Sequence, residues 1–185
     1  MRTNIPEKLL GIIHEIDQQG SANLTRLTVL KKWFEQPERL RAFAIWVAKR
    51  ATSRKGKTAG EAAELFHASQ AVLTGLDFLH PEPDRATAQE LFRRLRKFQD
   101  EYHKGHRGPV REIRNRNLLL IEKSLAIVLD CKSAPAHGYQ LAADYCRHHD
   151  PRYGEALHGP SRTKIGEIVR FMFNVEALED FAGEA

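Results

Sequence analysis

The residues best suited to chemistry lie between positions 49 and 58. Lys49, Arg50, Arg54, Lys55 and Lys57 fall within nine residues that hold no acid. Ser53 and Thr58 add hydroxyls, and Gly56 adds a backbone that can approach a ligand closely. Thr58-Ala-Gly-Glu61 has the form of a capping box, so a helix is expected to start there. A helix N-terminus presents free N–H groups and a positive dipole end. Arg50, Ser53, Arg54, Lys55, Lys57 and Thr58 are therefore the first candidate anion site. A second basic run follows at 93–116, with nine bases against three acids. It contributes Arg94, Arg107, Arg114 and Arg116 to the candidate set. If the two runs meet, they form one surface for phosphates, where affinity comes from counterion release. If each is covered by an acidic helix, the charge serves assembly, including a homodimer.

Two short stretches resemble catalytic motifs. Ala51-Thr-Ser-Arg-Lys-Gly-Lys57-Thr58 resembles the phosphate-binding loop of nucleotide hydrolases, with Ala51 where the strict motif has Gly. That loop is delivered by a strand, whereas Ala42–Lys49 reads as helix, and no later strand offers an Asp for magnesium. His148-His149-Asp150 resembles the His–Asp pair of the helical metal-dependent phosphohydrolases. The resemblance implies a metal held with an upstream His (His103, His106 or His137) and a later Asp. Asp180 is the only Asp that follows. The competing reading puts the two histidines at a helix C-terminus, where they suit the negative dipole end.

Other groupings carry less. His103, His106 and His158 lack the tight four-ligand spacing of structural zinc. Cys131 and Cys146 read as small core residues and not as a disulfide framework. Glu64 with His67, and Asp77 with His80, share helical faces without repeating into a two-carboxylate metal site. Residues 152–164 join two helices, and Arg162, Thr163 and Lys164 would lead a helix-turn-helix. The connection is longer than that motif uses. No catalytic residue, metal or cofactor is assigned, and the balance leans away from an enzyme.

These groups must be positioned by helices. The chain has 185 residues, 42% hydrophobic and 29% charged, with a net charge of +5. Its length suits a single domain spanning 1–185 with enough core to need no staple. No apolar run approaches the ~20 residues that cross a bilayer. The first residues carry Arg2 and Lys8 without an apolar core, so no secretory signal is expected and a cytoplasmic setting follows.

Apolar residues recur at helical spacing nearly throughout. Ile5, Leu9, Ile12, Ile13 and Ile16 mark a first helix, and Leu24, Leu27, Leu30 and Phe34 a second. Pro37 opens a third, with Leu40, Phe43, Ala44 and Val47 inward. A fourth runs from Thr58 to Leu76, with Leu65, Ser69, Val72 and Leu73 on its stripe. Thr87 opens a fifth, with Leu91, Leu95, Phe98 and Tyr102 inward. The sixth, about 114–132, is apolar on nearly every side and is expected to be the central buried helix. A seventh follows from Pro135 to about His149, and an eighth from Ser161 to Phe181. The expected fold is all-α, seven or eight helices around that central one, with hinges at 80–84 and 103–110. The expected role is a non-enzymatic binding or regulatory module for an anionic partner such as nucleic acid.

Overall fold

The computed structural model describes residues 33–53, 60–105, 109–146, 148–149 and 156–158, with positions 164, 167, 168, 170–172, 174–176 and 179. For 53, 102–105, 109–116, 148–149 and 156–158, only the backbone is described. The first two expected helices fall outside this set, apart from Trp33 and Phe34.

Helix α1 spans Pro37–Ser53. Pro37 sits at the first helical position, where a missing N–H costs nothing. The Gln36 carbonyl accepts the Leu40 N–H at 3.1 Å. Leu40, Phe43, Ala44 and Val47 are buried as their spacing predicts, and so are Ala42, Ile45, Ala48 and Ala51. Such a wide apolar surface needs neighbours on several sides, and α1 has them.

Helix α2 spans Glu61–Leu73. Gly60 takes the N-cap at φ 68°, whereas Thr58, the expected opener, lies outside the described residues. A positive φ suits glycine, which has no Cβ to clash. Helix α2 ends at Leu73, short of the expected Leu76, and Gly75 follows at φ 83°. Asp77 and His80 therefore lie in a turn and not on a helical face. The Asp77 carboxylate accepts the backbone N–H groups of Leu79 and His80 at 2.8 and 2.7 Å.

Helix α3 spans Arg85–Gly105, starting earlier than Thr87. Asp84 is the reason. Its carbonyl accepts the Ala88 N–H at 2.9 Å, and its carboxylate accepts the Thr87 hydroxyl. Asp is a favoured N-cap, so it moves the start forward. Helix α4 spans Pro109–Val128 and begins five residues before the expected Arg114. Pro109 acts there as a helix opener and not as a breaker. The helix closes at Asp130, which takes φ 61°. Helix α5 spans Pro135–Cys146.

His148–His149 form a short strand β1 that pairs antiparallel with β2, Ala156–His158. The two histidines are thus extended, correcting the expectation that they end a helix. The described positions from 164 to 179 given above are helical and are called α6.

Helix α4 packs against α1, α2, α3 and α5, and α1 also packs against α2 and α5. Leu118, Ile121 and Leu125 on α4 are completely buried. Helices α3 and α4 run antiparallel, since Arg85 reaches the Leu129 carbonyl while Arg96 reaches Glu122. The described residues are thus predominantly helical. None of their helices is long and apolar enough to cross a membrane.

Candidate anion-binding surface

Arg50 lies in the last turn of α1, where α5 and α6 converge. Its Nε donates to the Tyr145 hydroxyl at 2.7 Å, and the hydroxyl donates to Glu167 at 2.6 Å. Its Nη2 meets the other Glu167 oxygen at 2.9 Å. Three side chains from three helices thus close a ring of charge-assisted bonds, which are stronger than neutral ones. Aromatic rings surround it. The Arg50 guanidinium lies 4.9 Å from the Trp46 ring, and Lys164 lies 5.3 Å from the Tyr145 ring. Phe171 stacks on Trp46 at 5.1 Å.

Burial and the bonded partners together set the protonation states at this junction. Desolvation, with its own donation to Glu167, pushes Tyr145 up to about 12. Desolvation works against the Arg50 charge, but Tyr145 and Glu167 outweigh it and raise its pKa. The hydroxyl therefore stays protonated and keeps donating. Arg50, expected to await an anion, already has a carboxylate and a phenol as partners.

The second basic run looks different. Arg93, Arg96 and Lys97 project from α3 around an open hollow of about 530 Å³, whose lining also includes Phe92, Asp100 and Glu101. The Arg96 guanidinium lies 5.6 Å from the Phe92 ring. Behind it stands Glu122 of α4, 3.8 Å from Arg96. Burial pushes the Glu122 carboxyl above its usual range, Asp100 adds to this, and Arg96 opposes it. Arg93 is paired with Glu90 at 2.6 Å, and its hydrogen bonds hold that carboxyl below the usual range. Lys97 stands 4.0 Å from Glu101. Both partners in these last two pairs are more than half exposed, so water and salt screen them and the cations can exchange partners.

Of the predicted anion-site residues, the structure places two side chains. Arg50 is in the α1–α5–α6 junction. Arg94 lies on the other flank of α3, in a groove of about 480 Å³ that includes Ala68, Val72 and Leu91. No described contact joins the two. Ser53, Arg114 and Arg116 have described backbone, the last two on α4 beside α3. Arg54, Lys55, Lys57, Thr58 and Arg107 lie outside the described residues, as does Asp150.

Sequence reading gave Phe92, Tyr145 and Glu167 no functional weight. Phe92 and Arg96 are four apart on one helix, a spacing that brings side chains together. No comparable local signal links Arg50 to Tyr145 or Glu167. Among the described residues, no group of three or more His, Cys, Asp or Glu could hold a metal ion. Neither cysteine forms a disulfide; Cys146 is buried as expected, whereas Cys131 is exposed in the turn after α4. No family model, curated protein or solved structure matches this chain.

Proposed function

We propose that this protein is a non-enzymatic binding or regulatory module that engages an anionic partner, with nucleic acid as the leading class. The basic segments 49–57 and 93–116 supply the contacts. One observation carries the reading: Arg93, Arg96 and Lys97 gather around a single open hollow on α3. Their ion pairs are solvent-exposed on the cation side, so a phosphate can replace a carboxylate at little cost. The proposal extends to the whole chain, as a single domain of seven or eight helices around the 114–132 region. Burial of Leu118, Ile121 and Leu125 supports that arrangement. A reducing, cytoplasmic setting fits two cysteines that form no disulfide.

The test is binding to heparin and to DNA across a salt series. Affinity should fall linearly on logarithmic axes, and Arg93→Ala with Lys97→Ala should flatten the slope by about 1 to 2. Binding that is absent, or indifferent to salt, would overturn the reading.

A further inference from the structure

The hollow on α3 holds more than charge, and its contents discriminate between kinds of polyanion. Resting on the reading above, we propose that its ligand is single-stranded nucleic acid, with a base stacked at Phe92 and phosphates taken by Arg93 and Lys97. Three observations lead there. First, Phe92 is only partly buried and lines the hollow. A duplex keeps its bases stacked on one another and offers a protein surface only phosphates and groove edges. An unpaired strand can splay a base onto an aromatic ring or a guanidinium plane. Second, Arg96 lies over that ring and is tethered from behind by Glu122. Ring and guanidinium thus form one preassembled stacking platform. Third, Asp100 and Glu101 stand in the same hollow, with Glu90 one turn away. A duplex bears about one charge per 1.7 Å along its axis and would press phosphates against these acids. A flexible strand can turn its phosphates toward Arg93 and Lys97 and away from them. The volume, about 530 Å³, falls in the ~300–1,000 Å³ range of small-ligand sites and admits a base with its sugar.

The experiment compares three labelled probes at fixed salt by fluorescence anisotropy. They are an oligothymidylate of about a dozen nucleotides, a duplex of equal length, and heparin. The oligothymidylate should bind at least about fivefold more tightly than the duplex. Phe92→Leu should weaken it at least about fivefold while leaving heparin binding unchanged, and Phe92→Tyr should restore it. If Phe92→Leu fails to fold by circular dichroism, the native chain gives the answer. A bromouracil-containing strand irradiated on the protein should crosslink at Phe92. Heparin and duplex binding with no single-strand preference, an unaffected Leu variant, or crosslinks confined elsewhere overturn this inference and leave the polyanion reading standing. Failure of all three probes to bind overturns both.

Discussion

Arg50 and Arg93 are the same residue type in the two basic runs of one chain, yet they sit in opposite circumstances. Arg50 is locked between a phenol, a carboxylate and an indole, on three helices brought together by folding. Arg93 is paired within its own helix, to Glu90 one turn earlier, with both side chains largely in water. The difference teaches that formal charge says little about availability. A cation held by partly buried partners from two other helices is bound into the packing. A cation whose partner is exposed and local remains open to exchange with a ligand.

The sharpest way to break that contrast is to remove the floor of the locked site. Trp46→Ala deletes the ring against which Arg50, Tyr145 and Phe171 rest, and should cost about 3 kcal/mol in urea unfolding. Next comes Gly138→Ala on α5. Its new Cβ would meet the Phe34 ring at 2.6 Å, so the overpacked core should lose about 1–3 kcal/mol. Arg50→Ala leaves Tyr145 and Glu167 without their cation and should cost about 1–2 kcal/mol, with salt having little influence.

Tyr145→Phe should cost about 1 kcal/mol at neutral pH, through two lost hydrogen bonds. Its effect also depends on pH. The folded-state pKa of about 12 lies above the ordinary 10.0, so the hydroxyl's contribution is complete below pH 10 and fades as pH rises through 12. The gap between native and variant urea midpoints should therefore close in that window. The smallest stability effect belongs to Arg93→Ala, which should leave the melting temperature within about 2 °C while weakening polyanion binding. A large melting shift for Arg93→Ala, or none for Arg50→Ala, would erase the distinction between the two sites.

The helical character and the inward stripe of α1 are legible because Pro37 and the spacing of Leu40, Phe43 and Val47 act locally. The boundaries of α3 and α4 are less so. Asp84 outcompetes a plausible cap three residues later, and Pro109 is ambiguous between breaker and opener until the chain around it is placed. The α3 hollow is half legible. The clustered bases are plain in the sequence, but Glu122 comes from another helix. The Arg50 junction is opaque for the same reason, since Tyr145 is 95 positions away. Pairing over that distance is set by packing, and no periodicity encodes it.

Helix α6 meets α1 at both ends. Arg39, near the start of α1, grips Glu179 through two nitrogens, and Arg50, near its finish, holds Glu167. The two arginines lie about three turns apart on α1, and the two glutamates are twelve positions apart in the chain. These contacts work as the two pins of a gauge. A single residue inserted between Glu167 and Glu179 would shift one glutamate relative to the other and release its pin. Composition between the pins can drift so long as the apolar face survives, whereas the number of residues there cannot.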